Sequence, residues 1–217
     1  MLVHYQPPLR PYLEIVYQDN HLLVLNKPSG LLTVPGKAAE HQDCLERRVQ
    51  RVFPTARIVH RLDMATSGLV VMALSLDSQR QLSRQFELRQ TAKHYIARLE
   101  GVLSARLGRV ELPLICDWPN RPKQMVCFLR GKKALTHFEV LSTDTSSCRV
   151  RLTPVTGRSH QLRVHMQWLG HPILGDKFYA SPAGLAAADR LQLHAEYLAL
   201  HHPADGRWLE FSAPSPF

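Results

Sequence analysis

The nonapeptide His60-Arg61-Leu62-Asp63-Met64-Ala65-Thr66-Ser67-Gly68 sets a carboxylate between an arginine and small hydroxyl residues, directly before the apolar run Leu69 to Leu74. Charged groups at the mouth of a buried strand are open to a ligand yet rigidly supported, so Asp63 reads as a presented catalytic acid. A surface ion pair between Arg61 and Asp63 is the plainer alternative, because R-x-D by itself is a common string.

Three further segments carry chemistry-bearing residues. In Lys93-His94-Tyr95-Ile96, Lys93 and Tyr95 fall on one side of a strand, where a cation and a ring can hold a phosphate and stack on a base. An ordinary edge strand with a core tyrosine fits the same residues. Thr156 to Arg163 reads as a Gly turn into a helix capped by Ser159, with donors suited to an anion. Arg163, one turn in, is able to pair with a carboxylate and keep it ionised. A solvated helix start is the alternative. Lys27-Pro28-Ser29-Gly30 is either a phosphate-contacting loop or a turn.

Other chemistries lack their motifs. The chain has no G-x-S-x-G, Walker A, G-x-G-x-x-G or H-E-x-x-H string. His160 and His165 are spaced around a helix and not along one face, and His201 and His202 point to opposite faces of a strand. No metal site follows from the histidines.

The elements that must position these residues are mainly strands. Alternation and turn signals predict strands over 13–17, 22–26, 58–59, 68–74, 93–99, 109–114, 125–128, 134–141, 148–152, 191–194, 197–201 and 208–211. Helices are expected over 44–52, from an Asp77 cap to Leu88, over 160–169, and from Ser181-Pro182. In the 160–169 helix, Leu162, Met166 and Leu169 are expected on the core face, with His160, Arg163 and Gln167 on another. Strands that outnumber helices without regular alternation imply an α+β fold with a large mixed or antiparallel sheet. No linker separates domains, so residues 1–217 read as a single catalytic unit, its first twelve residues flexible, with room for a pinch into two subdomains.

Twenty-seven Lys and Arg against 18 Asp and Glu leave a net charge of +9 and a pI near 9.7, a balance suited to a polyanion. From Trp118 to Lys133 stand Arg121, Lys123, Arg130, Lys132 and Lys133 with no acidic residue, which reads as an RNA- or DNA-facing loop. Cys44, Cys116, Cys127 and Cys148 form no C-x-x-C pair and are expected as reduced thiols in a cytoplasmic protein. No apolar run approaches the roughly 20 residues of a membrane span, and no secretory signal is visible.

Taken in order, Lys27 to Gly30, His60 to Gly68, Lys93 with Tyr95, and Gly157 to Arg163 resemble the RluA family of pseudouridine synthases. The family patterns are K-P-[AS]-G, H-R-L-D-x-x-T-S-G, K-x-Y and G-R-x-H-Q-[IL]-R. Leu114 to Lys123 and Gly170 to Asp176 extend the resemblance towards a bacterial member that acts on both tRNA and 23S rRNA. The resemblance implies a pseudouridine synthase fold and two subdomains with the active cleft between them; as a departure from many relatives, the roughly 26 residues before Lys27 are expected to leave no room for an added S4-type RNA-binding domain. It implies isomerisation of uridine within RNA, a tRNA anticodon stem-loop and a 23S rRNA hairpin as substrates, and no metal, cofactor or required protein partner.

On this resemblance Asp63 is the catalytic aspartate, acting at C1′, at C6 or on a sugar proton. Arg163 pairs with it, Tyr95 stacks on the target base, and Leu152 walls the pocket. Arg61 either fills the stack vacated by the flipped base or only anchors the loop, and apart from the resemblance the strand cation Lys93 and the basic-segment residues Arg121 and Lys123 are expected to contact RNA. A non-catalytic RNA-binding module of the same fold, or an RNA hydrolase using Asp63 or a histidine, are the rival classes.

Overall fold

The computed structural model describes residues 5–217. The chain runs through β1 (Ile15–Gln18), β2 (Leu22–Lys27), α1 (Leu45–Gln50), β3 (Arg57–Ile58), β4 (Ser67–Ala73) and α2 (Leu76–Glu87) to β5 (Ala92–Glu100). There follow β6 (Leu107–Glu111), β7 (Leu114–Cys116), β8 (Gln124–Val126), β9 (Leu135–Thr143), β10 (Ser147–Pro154), α3 (Gln161–Trp168), α4 (Pro182–Ala186), β11 (Leu193–His201) and β12 (Trp208–Ser212). The elements gather into two compact units, one of residues 5–93 with Ala195–Pro216, the other His94–His194 with Phe217. The chain passes between them inside β5 and returns inside β11.

In the first unit β2 is the antiparallel neighbour of both β1 and β4, and β3 also pairs with β4. All seven residues of β4 are buried, as expected of an unbroken apolar strand covered on both faces. Leu22, Val24, Leu69, Val71, Leu82, Leu198 and Phe211 form its core, to which α2 contributes Leu82 and the half-buried Phe86. Lys27 is in register with Gly68, so the loop after β2 and the signature loop before β4 leave the sheet at one end. Gly68 has φ +112°, and a side chain there would overlap the Ala195 backbone. Only glycine lets β11 come so close.

In the second unit β10 pairs antiparallel with β5 and β9, and β9 with β6, while β7 and β8 make a separate hairpin. On β10 Cys148, Val150 and Leu152 are buried and alternate with half-exposed Arg149 and Arg151, as a strand with one covered face requires. A small core of Leu114, Ala134, Val164 and Tyr179 lies under the hairpin. Every one of these ladders is antiparallel, and the helices are few, so the α+β reading holds.

Several boundaries differ from the sequence expectation, each for a local reason. Helix α2 is capped by Ser75, whose hydroxyl accepts the Ser78 N–H, and Asp77 lies in the first turn. Helix α3 is not capped by Ser159: His160 takes the N-cap position with φ 53° and no side-chain cap. Gln161 instead reaches back, its carbonyl oxygen accepting the Arg158 N–H and the Thr156 hydroxyl. The helix is covered nearly all round from Gln161 to Met166, so Arg163 is interior whereas Leu169, expected in the core, is exposed. The expected break at Ala195-Glu196 is absent because β11 is continuous.

The segment Trp118 to Lys133, expected as a loop, begins with a single 3-10 turn at 118–120 and contains β8 of the hairpin. At the other end of the chain, residues 1–4 of the segment expected to be flexible lie outside the described residues. Within 5–12, the Tyr5 hydroxyl accepts the Leu32 N–H and donates to the Asp43 carbonyl. The buried Arg48 guanidinium donates to the Pro8 carbonyl and grips Asp43 through two bonds.

Candidate active site

Asp63 sits half-buried in the turn that enters β4, its carbonyl accepting the Thr66 N–H at 3.1 Å. The loop after β2 holds this turn on both sides. Upstream, the buried Thr33 hydroxyl donates to the Leu62 carbonyl at 2.7 Å and accepts the Leu62 N–H at 3.2 Å. Downstream, the Gly30 N–H donates to the Met64 carbonyl at 2.8 Å, and the Ser29 hydroxyl donates to the Ala65 carbonyl at 2.7 Å.

Lys27 is fully buried, and its ammonium donates to the carbonyls of Pro28, Leu31 and Met64 at 2.9, 2.7 and 3.1 Å. A buried cation is tolerable only with such partners. The Lys27-Pro28-Ser29-Gly30 segment is therefore a bracket for the signature loop, and the ammonium faces backbone oxygens. Of the two sequence readings, the turn is the one found.

Arg61 is exposed and forms no ion pair with Asp63. The plainer explanation of the R-x-D string is thereby removed. His60 turns inward: its Nε2 accepts the Val71 N–H at 3.1 Å and its ring stacks on Phe86, centroids 4.5 Å apart. An acceptor Nε2 fixes the neutral tautomer with its proton on Nδ1. Burial, and secondarily the cation of Lys93, push the His60 pKa down to about 3. A base whose Nε2 is already engaged by β4 is a poor hydrolytic residue.

Lys93 lies over the other partner of that stack, its ammonium 5.4 Å from the Phe86 ring centre, and burial lowers its pKa. It makes no ion pair among the described residues. Arg61, Asp63 and Lys93 all belong to the first unit.

The remaining expected residues belong to the second. Tyr95 and Leu152 are cross-strand partners on β5 and β10, so they share one face; Leu152 is buried and Tyr95 half-buried. Arg163 is 3% exposed, and its Nε and Nη2 each bond one oxygen of the Asp176 carboxylate at 2.7 Å. Its guanidinium carbon also lies 5.3 Å from the Phe178 ring centre and 5.1 Å from that of Tyr179. The Tyr179 hydroxyl bonds His160 Nδ1 at 2.7 Å and accepts the Gln124 N–H at 2.8 Å, tying the start of α3 to the hairpin.

Sequence reasoning missed Asp176, Tyr179 and Thr33. Asp176 lies in the Gly170 to Asp176 string, where it stood as part of a resemblance and not as a counter-charge. Nothing in local spacing marks it as the partner of Arg163.

Around the β7–β8 hairpin, Arg121 stacks over Trp118 with the guanidinium 4.2 Å from the ring centre. Arg121, Arg130, Lys132 and Lys133 are exposed or nearly so and Lys123 half-buried, and none makes an ion pair among the described residues. Cationic groups that make no ion pair among the described residues, beside an exposed Trp118, suit a nucleic-acid backbone and its bases. Among the described residues no three His, Cys, Asp or Glu side chains are grouped as metal ligands, and no helix is long and apolar enough to cross a membrane. All four cysteines are unpaired, Cys44 and Cys148 buried, Cys116 and Cys127 half-buried.

Comparison with known proteins converges with this geometry. A family model described as RNA pseudouridylate synthase matches residues 21–168. The dual-specificity RNA pseudouridine synthase RluA of Escherichia coli (strain K12) is 57% identical over 215 residues, covering 99% of this chain and 98% of that protein. The protein of the same name from Pasteurella multocida (strain Pm70) is 55% identical over 217 residues, covering 100% and 99%. Among solved structures, human RNA pseudouridylate synthase domain containing 1 superposes with a TM-score of 0.80 at 31% identity, covering 98% of this chain and 87% of that one. With its signature residues held as described and its relatives aligned end to end, the chain belongs to the RluA family of RNA pseudouridine synthases.

Proposed function

We propose that this RNA pseudouridine synthase modifies uridines in both tRNA and 23S rRNA, with Asp63 as the residue that does the chemistry. Support for two substrate classes comes from the dual-specificity relatives and from exposed cations that bind phosphate without reading sequence. The reaction breaks the uracil N1–C1′ bond, turns the base, joins C5 to C1′, and moves the C5 proton away as N1 regains one. Inside a helix the bond is shielded by stacking, so the nucleotide must first be extruded.

The carrying observation is the presentation of Asp63. Its backbone is pinned on either side by Thr33, Ser29 and Gly30, while Arg61 two residues earlier is exposed and makes no ion pair among the described residues. That pairing suits a fixed carboxylate beside an arginine able to stack in the gap left by the extruded base. In this reading Tyr95 stacks on the uracil, Leu152 forms apolar wall, and Arg163 supports the ionised carboxylate. Lys93, Arg121 and Lys123 hold phosphates. The unpaired thiols fit work in the reducing cytoplasm.

Asp63→Asn is the test. It is expected to bind tRNA and a 23S rRNA hairpin as the parent does while releasing no tritium from C5-labelled uridine. Tritium release at the parental rate would overturn the assignment. Pseudouridine in only one of the two RNAs with the parent enzyme would overturn the dual substrate range.

A further inference from the structure

We propose that Thr33 is a positioning residue for the reaction, acting through the Leu62 peptide to set the direction of the Asp63 carboxylate. The proposal rests on the reading that Asp63 does the chemistry. Thr33 is 2% exposed and Leu62 6%, so no water competes for their polar groups. One hydroxyl takes both polar groups of a single residue: it donates to the Leu62 carbonyl at 2.7 Å and accepts the Leu62 N–H at 3.2 Å. A hydroxyl has one proton and lone pairs to spare, so this pairing satisfies all three groups at once.

Fixing the N–H and the C=O of Leu62 together restricts rotation about both of its backbone bonds. The next residue is Asp63, whose Cα direction those rotations set. Beyond Asp63 the chain is held by bonds to Met64 and Ala65, but these come from the opposite side. Thr33 supplies the only side-chain bond to the residue immediately before Asp63 among the bonds described. Its own backbone is fixed in turn, because its carbonyl accepts the Glu46 N–H at 3.1 Å at the start of α1. The hydroxyl thus transmits the rigidity of α1 and the bracket loop to the carboxylate.

A carboxylate that must reach a carbon or a proton of an extruded nucleotide tolerates little drift. Misplacement by about 1 Å is enough to cost about 100-fold in rate. RNA affinity depends on dispersed phosphate contacts that a small tilt of one loop residue leaves alone.

The test uses the full chain and three substitutions: Thr33→Val, close in shape without the hydroxyl; Thr33→Ala; and Thr33→Ser, which restores the hydroxyl. Single-turnover pseudouridine formation and RNA Kd are measured well below each melting midpoint, with rates taken per folded molecule. Thr33→Val and Thr33→Ala are expected to slow the chemical step by about 10- to 100-fold with Kd within about twofold, and Thr33→Ser to recover most of the rate.

Parental rates in Val and Ala would overturn the proposal. So would equal slowing in Thr33→Ser, or a loss confined to Kd. Asp63→Asn run beside them separates the two levels: if that variant keeps parental activity, the assignment of Asp63 fails whatever Thr33 does.

Discussion

Arg163 and Asp176 form a buried, two-bonded ion pair, with Nε–Oδ2 and Nη2–Oδ1 both at 2.7 Å and both residues no more than 3% exposed. The arginine expected to assist Asp63 is therefore anchored within its own unit by a different carboxylate, that of Asp176. Asp176 also accepts the Phe178 N–H at 2.9 Å, which places that ring beside the guanidinium. An arginine fixed in this way is set in place before any substrate arrives.

Asp176→Asn keeps the shape and removes the counter-charge. Removing this carboxylate from beside a buried guanidinium costs up to about 3–5 kcal/mol. Urea denaturation should show the midpoint shifted down by a corresponding amount at unchanged m-value. A midpoint equal to that of the parent would refute the structural role assigned to the pair.

Lys27→Met deletes the donor shared by three backbone carbonyls. Charge-assisted hydrogen bonds contribute about 1.5–3 kcal/mol each, offset by the desolvation that burying an ammonium incurs. A net loss of about 2–4 kcal/mol is expected in chemical denaturation. Were Lys27 a phosphate ligand, the variant would lose RNA affinity and keep its stability.

Stability should fall on mild acidification. Burial lowers the pKa of both His60, to about 3, and His165 below the ordinary value of 6.5. His60 stays neutral in the folded chain, and His165 takes up its proton less readily there than in the unfolded chain as pH falls through 6.5, so the unfolded state binds more protons and stability rises with pH. The urea midpoint is expected to be level above about pH 7 and to drop steadily from about pH 6.5 to 5. The carboxylates of Asp19 and Asp43, held below their usual range, stay ionised in the folded chain across that window. A midpoint independent of pH there would contradict the lowered pKa of these two histidines.

Replacing Lys123, Arg130 and Lys132 by Gln should weaken RNA binding and flatten its dependence on salt. Each phosphate that the protein no longer neutralises reduces the steepness of log K against log salt by about 0.7 to 0.9. Filter binding at several salt concentrations measures the slope directly. An unchanged slope would place the RNA elsewhere on the protein.

The elements and the site were not equally legible. Alternation along Cys148 to Leu152 and the apolar run into Leu74 located β10 and β4, because the pleat puts every second side chain on one face and burial acts on each in turn. Ser75 was missed as the cap of α2 because Asp77 is also a capping type, and which of the two begins the helix depends on where the strand before it ends. The left-handed turn at His160 was not legible either, since its ring is held by Tyr179, 19 residues away.

By itself the sequence determined which chemistry is present: one carboxylate in an ordered signature, a basic surface for RNA, and strands enough for an α+β sheet. Residue type and local period are properties of short segments, and they survive without knowledge of the fold. The tertiary structure alone decided the partners. It chose the turn for Lys27 and made it a clamp on Met64, paired Arg163 with Asp176, and set Thr33 against Leu62. Those pairings join residues 37, 13 and 29 positions apart. A buried polar group must find a partner, but which one it meets is settled only when packing delivers two distant segments to the same place.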